Sequence, residues 1–549
     1  GHSASQPLFR PAANAKPAPR SAGNKIDIPF PAAQHGRNIM AGPLKNIIKI
    51  SSATVGSRAL GFARDAATMA FLGLSAVNAA YTFAFTLPNL FRRLLGEGAL
   101  SSAMIPIFAQ TLEKSGEKAA FDFLNKVLTR AAILLAVLTL AGMAAAFAAA
   151  RSDMQTQRFL LGAGYSAVLM PYMFLICLAA VFGSALNVLG SFGVPSVGPM
   201  LLNISIICGI FLGARAFPSD EIALGYCMCA AWLVGGALQM LIPAAWTYRK
   251  GWRFKFDLGK SPELGELYAL FLPALAGAAI IQVNIFVSKM LAMLLNDAAI
   301  PALYLASRLL EFPLGVFTIA IATVFFPRLS ALKASENAPE HKREYAKGFL
   351  MTLAVAVPAT FGLIAFAPDI LAVLFQWGVF SARDVEICTP VVIAAVAGLP
   401  FFSIATFATR GFHSAKDTKT PVKISACSFA ANIALSLALM HPFGAAGLAA
   451  ANAGAAALQA HMLSSGLRKK FGALGISKEA FKIFAASSAM TAAAVAARCI
   501  AAGFLDGKAL SLLSCAAIIP AAAAAYFAFL KLFKSKLANA VPAAIMKKR

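Results

Sequence analysis

Five arginines and three carboxylates stand where a mostly apolar chain has least use for charge. Arg58, Arg64 and Asp65 fall within "IIKISSATVGSRALGFARDAATMAFLG", Arg92, Arg93 and Glu97 within "LPNLFRRLLGEGALSSAMIP", and Arg308 and Glu311 within "SRLLEFP". On a helix Arg58 and Asp65 are two turns apart on one face, with Arg64 about a third of a turn away. Glu97 follows Arg93 by one turn, and Arg308 and Glu311 are i,i+3 neighbours. A guanidinium presents a planar fork of donors that matches phosphate oxygens in pairs. Arginines converging from several segments therefore point to a phosphate or diphosphate head group rather than a metal ion, and their excess over acids calls for an anion.

The segments that must position these residues are membrane spans. The chain has 549 residues, 59% hydrophobic and 13% charged, with mean hydropathy +0.73; soluble chains carry about a quarter charged residues. Apolar runs of bilayer length, roughly 20 residues, recur near 43–73, 75–95, 121–149, 160–189, 196–216 and 221–247. A second set lies near 263–295, 299–327, 344–366, 384–411, 420–440 and 444–466, and a last pair near 479–502 and 508–533. The expected fold is therefore an all-α integral membrane protein of about 14 helices. It would hold a first lobe at 43–247, a basic cytoplasmic loop at 248–262, a second lobe at 263–466 and a C-terminal pair at 479–535. Two six-helix sets return the chain to its starting side, so the lobes would be parallel repeats. The stretches 91–112 and 306–332 support this: each runs Arg, two Leu, a nearby acid, and an apolar stretch closing on a proline.

A charge at mid-span costs about 2.5 to 3.5 kcal/mol on insertion scales, so Arg58, Arg64 and Asp65 must face a polar cavity or pair. Arg92 and Arg93 could instead snorkel to an interface, and Lys289 could do either. The formal net charge of +25 would suggest nucleic acid in a soluble protein. Here Lys and Arg concentrate in alternate connections, which is the positive-inside pattern and implies both termini in the cytoplasm. The eight cysteines read as small buried hydrophobes, no histidine pair has metal-ligand spacing, and no phosphate-cradling GxxxxGK[ST] loop is present. No metal, cofactor or catalytic residue is expected. Residues 1–38, rich in Pro, Ala and Ser, read as disordered, with "GHS" resembling a tag scar.

The runs "SRALGFARDA" (57–66) and "LPNLFRRLLGEGALSSAMIPIFA" (87–109) resemble the lipid II flippases of the MurJ or MviN type, within the superfamily of multidrug and oligosaccharide-lipid exporters. Supporting matches are "VPSVGPMLLNIS" (194–205), "RLLEFPLGV" (308–316), "LFQWGVFSARD" (374–384) and "GFHSAKDTKTPVKI" (411–424). The resemblance implies two lobes in a V around a cationic cavity and a final helix pair forming a groove for the polyprenyl tail. It implies alternating-access transport of lipid II, the undecaprenyl-diphosphate-linked peptidoglycan precursor, from inner to outer leaflet of the bacterial cytoplasmic membrane, by a monomer among membrane lipids. Arg58, Arg64, Arg92, Arg93, Arg308 and Glu97 match required or cavity positions. In this reading the arginines bind substrate, while Asp65, Glu97 and Glu311 form ion pairs that set the gate. Two positions depart from the family: an Asp usual before LPN is replaced by Ala79, beside Asn78, and one before the second-lobe arginine by Ser307.

Other readings are an exporter of another polyprenyl-linked oligosaccharide or of a drug, and a membrane glycosyltransferase. A pump for cationic drugs calls for an acidic cavity, and the transferase for a catalytic carboxylate near the outer surface, where Asp153, Asp220, Glu221 and Asp369 are the few candidates.

Overall fold

Pro88 shapes the first part of the fold. Its ring would strike the carbonyl of residue 84, and the helix Ala76–Ala84 (α2) ends there, resuming as Thr86–Phe91 (α3) after Phe85. The structure, a computed structural model, describes residues 41–94, 100–151, 156–334 and 337–538, without side chains for 41–55, 276–278, 281 and 334. Residues 1–38 and Glu97 lie outside this range.

Ala41–Leu72 (α1) precedes α2, and Leu100–Ala150 (α4), Gln157–Val188 (α5), Gly193–Ala216 (α6) and Glu221–Arg249 (α7) complete the first half. The second half runs Pro262–Met293 (α8), Ala299–Pro313 (α9), a π-helical turn Leu314–Thr318, Ile319–Ala334 (α10), Ala338–Ala365 (α11), Ala367–Phe375 (α12), Ala382–Val396 (α13), Leu399–Ser414 (α14) and Lys419–Phe471 (α15). Ser477–Ala501 (α16), Gly507–Leu513 (α17), a second π turn Ser514–Ile518 and Ile519–Leu532 (α18) close the chain. Among the described residues there is no strand.

Two helices are too long for one crossing. At 1.5 Å per residue, the 53 residues of α15 would far exceed a hydrocarbon core of about 30 Å, and Gly444 breaks it at φ +55°. The chain doubles back there. Ser428 Oγ donates to the Ala455 carbonyl at 2.9 Å and Gln459 Nε2 to Ser425 Oγ at 3.1 Å, the pairing of an antiparallel hairpin. A Cβ on Gly447 would lie 2.1 Å from the Leu439 carbonyl oxygen, so only glycine allows this approach. In α4 the break is at Gly116, φ +82°; residues 100–115, which lie between the expected spans 75–95 and 121–149, are helical. Among the described residues, ten helices are long and apolar enough to cross a membrane. Taking α15 as two passes, and adding α1, α8 and the broken α2–α3 run, is consistent with the fourteen expected.

The surface is apolar where lipid would lie: Leu134, Val137, Leu140 and Leu212 are all more than half exposed. Cysteines depart from the sequence expectation. Cys177, Cys229 and Cys388 are buried, but Cys208, Cys427 and Cys499 are exposed, which costs nothing for a weakly polar thiol facing hydrocarbon.

The halves meet at one end. At the end opposite the basic loop, Met69 of α1 packs with Leu305, Leu371 and Val392 of the second half, and the Val379 amide donates to the Ala70 carbonyl at 2.9 Å. Gly378, at φ +59°, lies so close that a Cβ would be 2.1 Å from that carbonyl oxygen. Arg158 adds an ion pair to Asp297 at 2.9 Å. Toward the basic end a cavity separates the halves.

Candidate functional site

The cavity has a volume of about 630 Å³ and reaches from a cluster of ions at its apex to the turn around Asn187 and Pro195. Arg58, Arg64, Arg92, Arg93 and Arg308 line it, against only Asp65 and Glu311 among the described carboxylates. The five arginines singled out from sequence thus share one space, drawn from both halves of the chain.

Asp65 is the centre of the apex. Its Oδ1 lies 2.6 Å from Arg64 Nη2 and its Oδ2 3.0 Å from Arg308 Nε. The side chain is 3% exposed, a depth at which a carboxylate requires full compensation. Tyr304 supplies a third contact, donating its hydroxyl to Asp65 Oδ1 at 2.8 Å while accepting from Arg64 at 3.0 Å and Arg308 at 2.7 Å. Arg64 Nη1 donates to Asn203 Oδ1 at 3.0 Å, and Asn203 Nδ2 in turn holds the Ser57 carbonyl at 3.1 Å. Helices α1, α6 and α9 are therefore joined through one carboxylate, one phenol and one amide.

The other cations surround this apex. Arg58 is exposed and makes no hydrogen bond or ion pair among the described residues; its guanidinium lies against Gly315, where a Cβ would sit 3.3 Å from Nη2. Arg93 approaches Glu311 at 3.9 Å, while Arg308 holds Glu311 at 3.1 Å. Arg92 donates to Asn89 Oδ1 at 2.8 Å, and residues 92–94 are π-helical. This turn starts 16 residues into its helical run and the Leu314–Thr318 turn 15 residues into α9, in keeping with a parallel repeat. Both Arg92 and Arg93 line the cavity. Lys289 donates to Thr86 Oγ1 at 3.0 Å beneath the Phe85 ring, joining α8 to α3 beside the cavity.

At the two departures from the family, smaller groups serve the backbone. Asn78 Nδ2 caps the Gly73 carbonyl at the end of α1, Ala79 is fully buried, and Ser307 Oγ returns to the Leu303 carbonyl at 2.9 Å.

Tyr304 and Asn203 were not among the candidates. Tyr304 precedes Arg308 by four residues, and this helical spacing was the available signal; Asn203 lies in the quoted 194–205 run but reads as an ordinary polar residue until its partner across the fold is known. Among the described residues no group of His, Cys, Asp and Glu could hold a metal. Among the described residues, five guanidiniums around two occupied carboxylates leave the cavity with an excess of positive charge.

Comparison with known proteins gives the family. The family described as Lipid II flippase MurJ matches residues 69–516. A protein of Vibrio cholerae named probable lipid II flippase MurJ is 31% identical over 77% of this chain and 82% of its own. One of the same name from Bdellovibrio bacteriovorus is 33% identical over 78% and 82%. A solved structure titled "Lipid II flippase MurJ, inward closed conformation" superposes with a TM-score of 0.73 at 25% identity, covering 88% of this chain and 98% of that one. The chain belongs to the MurJ family of lipid II flippases.

Proposed function

We propose that the cavity receives the diphosphate and acidic head group of lipid II, and that rocking of the two halves carries it from the inner to the outer leaflet of the bacterial cytoplasmic membrane. The basic loop at 248–262 then lies in the cytoplasm between lobes 43–247 and 263–466, both termini face the cytoplasm, and the cavity stands open to that side. The C-terminal pair, 479–535, leaves the polyprenyl tail in lipid. The observation that carries this reading is Asp65, shared by Arg64 of α1 and Arg308 of α9 at the apex of a cavity with three further arginines.

The geometry suggests how cargo and conformation are linked. With no cargo, Asp65 is the common counter-ion that draws α9 onto α1 and keeps the outer end shut. A diphosphate carries more charge than one carboxylate and offers several acceptors in a site where bidentate contacts are strong. Entering past Arg58, Arg92 and Arg93, it competes with Asp65 for Arg64 and Arg308 and loosens the joint. A ligand shifts such an equilibrium only through its difference in affinity for the two states, and the exchange of one counter-ion for another supplies that difference. Energy comes from an ion gradient, the membrane potential or mass action.

The test is rescue. A bacterium depleted of its own flippase and supplied with this chain regains precursor in the outer leaflet, and Arg64→Ala or Arg93→Ala abolishes the gain at unchanged membrane abundance. Correct insertion without recovery would remove the assignment.

A further inference from the structure

The linker between the halves is held in an unusual way. Residues 252–260 have no regular secondary structure, yet their backbone is clamped to α4. Asn125 Nδ2 donates to the Arg253 carbonyl at 3.0 Å, Thr129 Oγ1 accepts from the Asp257 amide at 3.2 Å, and Arg130 donates to the carbonyls of Leu258 and Gly259 at 2.7 and 2.9 Å. Lys126 pairs with Asp257 at 2.7 Å, and the Trp252 indole, buried against Phe182, donates to Asn125. A segment fixed this firmly would be expected to tuck its apolar side chains inward. Instead Phe254, Phe256 and Leu258 are 64%, 62% and 52% exposed.

These three alternate with charge. Arg253, Lys255 and Lys260 flank them, Arg249 and Lys250 precede them, and Asp257, the one acid between 249 and 260, is engaged by Lys126. The place along α4 indicates what covers them. Arg130 is the last charged residue before a continuous apolar stretch, and on the same helical face Leu134 and Val137 are exposed as lipid-facing residues are. The linker therefore lies within about one to two turns of the hydrocarbon boundary, at head-group depth. Large apolar side chains interleaved with cations at that depth are the composition of an interfacial anchor for anionic lipid.

We infer that residues 253–260 form a rigid strap that inserts Phe254, Phe256 and Leu258 into the cytoplasmic-leaflet interface, with Arg253 and Lys255 selecting anionic phospholipid head groups. Because the strap joins α7 to α8, it fixes the level at which the second half turns against the first. This rests on the orientation proposed above but not on the cargo, so its failure leaves the flippase reading intact.

The full chain, carrying a photo-crosslinking benzoylphenylalanine in place of Phe256, and separately of Phe254 or Lys342, is reconstituted in vesicles of phosphatidylglycerol and phosphatidylethanolamine. After irradiation, peptide mass spectrometry should find phospholipid adducts at 254 and 256, enriched in phosphatidylglycerol over its share of the bilayer, and none at 342. Adding Lys255→Glu should return that enrichment to the bulk ratio while adducts persist. The same probes in living cells should again give lipid. Absence of lipid adducts at 254 and 256 in transport-competent protein, or protein adducts in their place, would overturn the anchor. Adducts without headgroup preference would overturn the role of Arg253 and Lys255.

Discussion

Among the described residues, two buried carboxylates hold guanidinium groups, and they differ in what is left over. At the end opposite the basic loop, Asp369 is 2% exposed and takes both contacts of a fork from Arg498, at 2.6 and 3.1 Å, plus the Ser511 hydroxyl at 2.9 Å. One cation meets one anion, and nearby Lys508 is engaged by the Gln376 carbonyl at 2.7 Å and the Trp377 ring. This is a matched staple, tying the C-terminal pair to α12. At the cavity apex, Asp65 is as deeply buried but answers two arginines, with Arg58, Arg92 and Arg93 arrayed below it. On the proposed reading, stoichiometry rather than burial separates a clasp from a receptor: a balanced pair completes itself, whereas the excess of guanidinium is matched by the charge of the cargo.

Substitutions can break this contrast. The largest effect should come from removing the receptor: Arg64→Ala or Arg308→Ala abolishes outer-leaflet precursor in a rescue assay, whereas Arg498→Ala leaves transport measurable in whatever fraction is folded. Next is Asp65→Asn, which strands two cations and should cost about 3 to 5 kcal/mol by the measure of broken buried pairs, read as a fall in the melting temperature of purified protein that added lipid II partly reverses. Asp369→Asn should cost less, about 1 to 3 kcal/mol, since Arg498 is one-third exposed and finds water, and lipid II should not reverse it. Glu311→Gln is smaller again. Its side chain is 48% exposed, so stability changes by under about 1 kcal/mol, while lipid II affinity rises because Arg93 and Arg308 lose a competitor.

A pH scan gives the smallest and most local signal. Asp417 is held well below the usual carboxylate range by Lys470 and by the amide and hydroxyl of Thr420. A carboxyl whose folded value is depressed contributes stability above its unfolded value and loses it as the pH falls through the folded one. The melting-temperature advantage of the parent over Asp417→Asn should therefore be full at neutral pH and shrink only below the usual aspartate range. An advantage that shrinks above that range would contradict the assigned cause.

Much of this was legible before any coordinates. Most helix ends fall within a few residues of the expected spans, with α10 running on to Ala334 and α11 starting at Ala338, because hydropathy and bilayer thickness leave little choice of helix length, and the arginines stood out because mid-span charge has a large cost. What was hidden is relational. Tyr304 looks like one more aromatic in "YLASRLLEFP" until Arg64 arrives from another helix, and Asn203 needs both Arg64 and the Ser57 carbonyl to acquire a role. The strap illustrates a different limit, since "RFKFDLGK" reads as a basic loop by charge count, and only its clamping to α4 exposes the placement of its phenylalanines. Glu97 lies outside the described residues, so its partnership with Arg93 stands as a proposal.

The most direct test is equilibrium binding of lipid II to the full chain in lipid nanodiscs, compared with Arg308→Gln from the apex and Arg498→Gln from the staple. Loss of a desolvated charge-assisted contact should weaken binding about tenfold or more at Arg308 and leave it unchanged at Arg498. Equal affinity for all three proteins, or equal weakening by both substitutions, would contradict the claim that surplus guanidinium charge in the cavity is what receives the cargo.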